Sequence, residues 1–144
     1  MKALIEQFKK HREVIMYIIF GVLTTVVDIL VFSLLAHTVF DTENPLLAQI
    51  ANIIAWIAAV AFAYVTNRIF VFESKEKRIL IEILSFTASR LLTLVLDAIL
   101  IYVLASLIGI NPDVSNIISN VVVIVLNYVI SKLFVFRRAK KNNP

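Results

Sequence analysis

Two ionisable side chains lie inside a long apolar stretch of this sequence. Arg90 and Asp97 stand well within the run from Ile79 to Ile108. On insertion scales a charged residue at the centre of a membrane helix costs about 2.5–3.5 kcal/mol, so such residues are functional candidates. A guanidinium can pair with a carboxylate, or it can bind phosphate oxygens bidentately. Two interpretations of Arg90 are therefore open: a structural ion pair or an anion site.

Further polar residues share helix faces with these two. Arg90, Thr93 and Asp97 follow at i, i+3 and i+7, and an earlier stretch carries Thr24 and Asp28 four residues apart. Arg90 and Asp97 lie about 10 Å apart along one axis, too far to satisfy each other fully. Asp28 is the candidate partner of Arg90 on another helix. Both aspartates are open to three roles: structural hydrogen bonding, binding of sugar hydroxyls, or proton coupling.

Asparagines form a second polar group. The second apolar stretch has Asn52 and Asn67 near its two ends, and the fourth has Asn116 and Asn127. Amides often join membrane helices by hydrogen bonds, so packing is one interpretation and ligand binding the other. Closely spaced alanines on the second stretch would let a neighbouring helix approach.

No combination of residues in the sequence predicts catalysis. The chain has no cysteine and two histidines, and neither histidine belongs to a metal-ligand motif. It also contains no glycine-rich phosphate loop and no Ser/His/Asp set. We therefore expect a protein that is not an enzyme and that holds no metal or cofactor.

The apolar stretches themselves predict an all-α membrane protein. Of 144 residues 60% are hydrophobic, against about 45–50% in soluble domains. A helix needs about 20 apolar residues to cross a bilayer. Short connections would pair the four qualifying segments into two antiparallel hairpins. The predicted spans are Val14–Val39, Leu46–Thr66, Ile79–Ile108 and Val114–Leu133.

The positive charges predict the orientation. They fall in the N-terminal arm, the middle loop and the C-terminal tail, whereas the loops Phe40–Pro45 and Gly109–Asp113 have no Lys or Arg. Basic loops stay in the cytoplasm, so both termini are predicted inside a cell membrane. The net positive charge of the chain does not indicate a nucleic-acid partner.

The two terminal segments lie outside the predicted spans. Residues 1–13 are either a helix on the inner membrane surface or a frayed arm, and residues 137–144 form a basic tail.

The second half of the sequence echoes the first. Residues 64–72 and 128–136 both read Tyr-Val-x-x-(Arg/Lys)-x-Phe-Val-Phe, at an offset of 64. Thr24 and Asp28 match Thr93 and Asp97 at an offset of 69, and the hairpin loops absorb the difference. The sequence thus predicts two repeated hairpins, residues 14–72 and 79–136. Both start on the same side, so the repeat is parallel, an arrangement known in transporters.

These features together resemble the GtrA-like family of small four-helix membrane proteins. The resemblance rests on the segment Phe20–Asp28 and the endings Asn67–Phe72 and Phe134–Phe136, with Asn52, Arg90, Asn116 and Asn127 between them. It covers nearly the whole chain, although Ser131-Lys132 stands where the first repeat has Asn67-Arg68. It implies a flippase that moves a polyprenyl-phosphate-linked monosaccharide from the inner to the outer leaflet. An external glycosyltransferase would then modify O-antigen, teichoic acid or another wall polymer.

Under that resemblance the polar residues acquire expected roles. Arg90, Arg68 and Lys132 would bind the phosphate. Sugar binding or coupling would fall to Asp28, Asp97, Asn52, Asn116, Asn127 and Asn67. Four helices enclose little space, so we expect a homodimer or larger assembly. Two alternatives stay open: a non-transporting membrane anchor for a glycosyltransferase, and a small proton-coupled exporter.

Overall fold

The computed structural model describes residues 1–136, and the part it describes is helical without strands. The predicted basic tail, residues 137–144, lies outside the described residues. The described chain contains five α-helices and three short π-helical segments. The α-helices are α1 (Lys2–Lys10), α2 (Arg12–Thr38), α3 (Pro45–Thr66), α4 (Ile79–Tyr102) and α5 (Pro112–Ile130). The π-helical segments are π1 (Asn67–Val71), π2 (Val103–Leu107) and π3 (Ser131–Val135).

Four helical segments are long and apolar enough to cross a bilayer. They are Arg12–Thr38, Pro45–Val71, Ile79–Leu107 and Pro112–Val135, with 24 to 29 residues each. Large aliphatic side chains along them stay exposed, such as Leu30 at 62%. An apolar outer surface of this kind is stable against lipid chains. The predicted all-α membrane fold with four spans is confirmed, and the cytoplasmic placement of the termini stays a prediction.

The chain divides into two compact units between Glu73 and Ser74, and each unit contains one helical hairpin. α2 packs against α3 in the first unit, and α4 packs against α5 in the second. The second helix of each hairpin begins in the same way, with an Asn cap followed by proline at the first helical position. The side chain of Asn44 accepts a hydrogen bond from Leu46 N at 3.0 Å, and that of Asn111 accepts one from Asp113 N at 2.8 Å. In each case the Asn side chain accepts a hydrogen bond from an N–H group that has no acceptor within the helix, and the proline has no N–H group of its own.

The C-terminal ends of α3 and α5 differ from the sequence expectation. The loop was predicted to begin at Asn67, but the helix continues through π1, and α5 continues through π3 in the same way. Phe72 N donates to Asn67 O at 2.8 Å, and Phe136 N donates to Ser131 O at 2.9 Å. Hydrogen bonds of this i→i+5 type keep the backbone satisfied while adding one residue to the turn. The added residue turns Val71 and Phe72 inward together, and both are buried.

The N-terminal arm is helical over Lys2–Lys10 and has no buried residue. The start of α2, which follows the arm, is bonded to the other end of the first hairpin. Arg12 Nη2 donates to Phe70 O at 3.0 Å and lies 3.1 Å from Glu73 Oε1. Phe20 of α2 stacks on Phe70 with ring centroids 5.1 Å apart. π1 is thereby held against the start of α2, while the position of α1 on a membrane surface stays a prediction.

Candidate functional site

Arg90 lies well inside the apolar length of α4. It follows Ile79 by eleven residues, which is about 16 Å of helix rise. Its guanidinium carbon lies 4.6 Å from the ring centroid of Phe86, one turn earlier on the helix, and Phe86 is fully buried. The attraction between cation and ring orients the side chain along its own helix. A ring contact uses the face of a guanidinium, whereas bidentate phosphate binding uses its edge, so Arg90 can do both.

Asp97 has a hydrogen-bond partner within its own hairpin. The Ser119 hydroxyl donates to Asp97 Oδ1 across the α4–α5 interface and also lies 3.4 Å from the Asp97 carbonyl oxygen. Ser119 has no exposed surface. Ser119 is not among the site residues that the sequence pattern predicts. The available signal was its position four residues after Ser115 on α5, which places both hydroxyls on one helix face.

A second polar contact joins the same two helices. The Thr93 hydroxyl donates to Asn127 Oδ1 at 2.7 Å and also lies 3.1 Å from Arg90 O. Thr93 is only 2% exposed. Asn127, a candidate sugar ligand, is therefore held in interhelical packing. The two contacts make a short polar ladder that fixes α4 on α5 beside Arg90.

The corresponding residues of the first hairpin have different surroundings. The Thr24 hydroxyl bonds within its own helix, to Phe20 O at 2.7 Å. Asp28 is half-buried on α2, and its Oδ1 is buried without a hydrogen bond from any residue that the structure describes. A carboxylate oxygen in that condition is costly unless something donates to it.

Polar residues also begin π1 and π3, at positions that the 64-residue offset relates. Asn67 is 4% exposed, and its Nδ2 donates to Ala63 O at 2.6 Å. Asn67 Oδ1 and Ser131 Oγ are buried, and neither has a hydrogen-bond partner among residues 1–136. The next residues are the candidate phosphate ligands Arg68 and Lys132, both half-buried. Lys132 Nζ lies 3.4 Å from Tyr128 Oη and 5.6 Å from the centre of that ring.

Asn52 and Asn116 lie far along their helices from these groups. Both are exposed, on the first turns of α3 and α5. Asn116 precedes Asn127 by eleven residues, about 16 Å along α5, so it does not join the cluster of Arg90, Thr93 and Asn127. Within the second hairpin the predicted site residues thus lie apart along the helices: Lys132 in π3, Asn127 with the residues around Arg90, and Asn116 near the start of α5.

The Thr93–Asn127 bond gives a first testable prediction. Thr93→Val keeps the shape of the side chain but removes the donor to Asn127, so we expect the protein to lose about 1 kcal/mol of stability. The measurement is the free energy of unfolding in mixed detergent micelles. Thr24→Val is the matched control, because the Thr24 hydroxyl bonds within its own helix. Equal losses in the two variants would contradict an interhelical role for Thr93.

Four helices long and apolar enough to span a bilayer in the described chain, with a cation and carboxylates along their apolar lengths, define a small polytopic membrane protein. Residues 16–136 match the family model described as GtrA/DPMS, transmembrane domain, and the chain belongs to this family. The resemblance noted in the sequence is thereby confirmed.

Named relatives cover nearly the whole chain. It is 40% identical over 134 residues to the cell wall teichoic acid glycosylation protein GtcA of Listeria innocua, spanning 90% of this chain and 88% of the relative. The GtcA protein of Listeria monocytogenes is 38% identical over the same shares of both chains. The uncharacterized membrane protein YwcD of Bacillus subtilis is 36% identical over 129 residues, 88% of this chain and 98% of the relative. No solved structure matches the chain.

Proposed function

We propose that this protein is a flippase that carries a polyprenyl-phosphate-linked monosaccharide from the inner to the outer leaflet for glycosylation of a cell-surface polymer. The observation that carries the proposal is Arg90, a guanidinium held by a buried ring at depth on a spanning helix. Membership of the GtrA/DPMS family and relatives named for teichoic acid glycosylation support it.

The phosphate requires cations along its route. Arg68 and Lys132 provide one at the π-segment of each hairpin, and Arg90 provides another on α4, about 16 Å of helix rise after Ile79. Phosphate binds a guanidinium bidentately and a lysine as a point charge. We infer that the inner pair gathers the lipid headgroup and that Arg90 receives the phosphate within the membrane.

The sugar requires hydrogen-bonding groups that replace water. Carboxylates and amides on the spanning helices serve this purpose, because hydroxyl groups without partners are costly in hydrocarbon. We propose that Asp28 and Asn67 bind the sugar along the path, and that Asp97, which accepts a hydrogen bond from Ser119, holds the second helix pair in place beside it. Asn127 accepts a hydrogen bond from Thr93 and so holds α4 and α5 together beside the path. The exposed Asn52 and Asn116 bind the sugar near the N-terminal ends of α3 and α5. The isoprenoid chain stays in lipid against the apolar outer face of the helices.

We further propose a membrane location, a topology and an oligomeric state for the protein. It is a multi-pass protein of the cell membrane with both termini inside, since the basic clusters lie at the terminal arms and the middle loop. It acts as a homo-oligomer, because one chain encloses little space. It performs no catalytic step itself: a glycosyltransferase of the same pathway consumes the sugar outside.

The test is reconstitution of the purified protein in liposomes that carry a polyprenyl-phosphate-sugar in both leaflets. An impermeant reagent that reacts with the sugar reports exposure of the inner pool. We expect the wild-type protein to expose that pool many times faster than empty liposomes do. If it does not, while circular dichroism shows folded helices, the flippase proposal is wrong. A role as a glycosyltransferase anchor then becomes the better account.

A further inference from the structure

The two hairpins use the same positions for the same structural purposes. π1 and π3 occupy positions related by the offset of 64. Ala55 and Ser119, related by the same offset, are both fully buried. The register agrees as well. Phe86 and Phe136, whose ring centroids lie 6.1 Å apart, correspond at offsets of 69 and 64 to Tyr17 and Phe72, and all four residues are buried. These agreements support treating the hairpins as a structural repeat.

The polar partners, however, are not repeated. Ser119 satisfies Asp97, but the position related to Ser119 is Ala55, which has no hydroxyl. The position related to Asn127 is Ala63. The first hairpin therefore keeps its aspartate and lacks the residue that would bind it. This difference accounts for the unpartnered, buried Oδ1 of Asp28.

We propose that Asp28, and not Asp97, is the carboxylate that accepts hydroxyl groups of the transported sugar. This inference rests on the proposed flippase function and assigns its sugar contact. Asp97 holds α4 to α5 through Ser119, so its Oδ1 already has a hydrogen-bond donor, which Oδ1 of Asp28 lacks. Asp28 is kept without that structural partner by alanine at position 55, so a ligand can donate to it.

The chemistry of the group selects the ligand. A buried carboxylate oxygen needs a hydrogen-bond donor, and a sugar hydroxyl provides one. A phosphate does not, because two anions repel each other at close range in a medium of low dielectric constant. Asp28 is therefore suited to the sugar of the lipid headgroup, whereas the phosphate requires a cation.

The decisive variant is Ala55→Ser, which gives Asp28 the partner that Asp97 already has. We expect it to raise the thermal unfolding temperature and to slow translocation about threefold to tenfold, because the new hydroxyl competes with the sugar. Ala61→Ser is the matched control: it makes the same change on an exposed face of α3 and should alter neither quantity. Asp28→Ala should slow translocation at least about tenfold, and Asp28→Asn, which keeps an acceptor oxygen, should fall between Asp28→Ala and wild type.

The outcomes separate this assignment from the proposed function. If wild type moves the lipid and both Ala55→Ser and Asp28→Ala match its rate, the assignment to Asp28 is overturned and the flippase function stands. The same holds if an imposed pH gradient drives wild type while Asp28→Asn is as inactive as Asp28→Ala, which would make Asp28 a proton carrier. If wild type moves no lipid-linked sugar, the function fails and this assignment fails with it.

Discussion

Replacing Arg90 with alanine is expected to slow translocation of the lipid-linked sugar by about a hundredfold while the helices stay folded. Loss of one partner from a desolvated charge pair costs about 2–5 kcal/mol, which corresponds to such a factor in rate. The complex with the substrate loses this stabilisation, because the phosphate then crosses the membrane without a cation beside it. The measurement is the rate at which an impermeant reagent reaches the inner pool of sugar in liposomes, with circular dichroism as the check on folding.

Arg90→Lys is the informative companion to this variant. It keeps the charge but loses the planar fork, so we expect an intermediate rate if the ligand is a phosphate held bidentately. The structural alternative, an ion pair that locks the fold, predicts a different pattern. In that case Arg90→Ala lowers the unfolding temperature markedly, and the folded fraction transports at the wild-type rate. Such a pattern would contradict the phosphate role.

The spans and the family could be predicted from the sequence because both depend on local composition and order. About 20 apolar residues suffice to define a crossing helix, and the prolines at 45 and 112 mark helix starts within two residues of those predicted. The residues at which the helices end were harder to predict. Polar Asn67 and Arg68 suggested a loop, but the apolar residues that follow favour a continued helix, and backbone hydrogen bonding of the π type keeps it closed.

The candidate site could be predicted only as a set of residue types. Arg90, Asp28 and Asp97 are visible because charge is rare in apolar helices. The difference between the two aspartates is not visible in that way, because it depends on whether a serine or an alanine occupies the related position of the next helix. Serine is common in membrane helices, so Ser119 becomes meaningful only once its hydroxyl is placed on Asp97. The asparagines show the same limit: Asn127 packs against Thr93, whereas Asn52 and Asn116 are exposed.

The second large effect is expected from enlarging the small residues on the buried face of α3. Ala51, Ala55, Ala59 and Ala63 recur every four residues and are at most 5% exposed. Small side chains at this spacing let helix backbones approach closely. Ala55→Leu adds three carbon atoms where no space is exposed, so it should force the helices apart. We expect a loss of about 3 kcal/mol, at the upper end of typical overpacking costs.

The control for this variant uses the same substitution on the same helix. Ala61→Leu adds the identical atoms on an exposed face, where the side chain meets lipid or detergent, so its unfolding free energy should stay within about 0.5 kcal/mol of wild type. The difference between the variants isolates packing from helix propensity, since both replace alanine with leucine in mid-helix. Comparable losses of unfolding free energy at the two positions would mean that the four buried alanines do not determine how α3 packs. The comparison also bears on Asp28, because a serine at position 55 can reach that carboxylate only if α2 approaches α3 closely there.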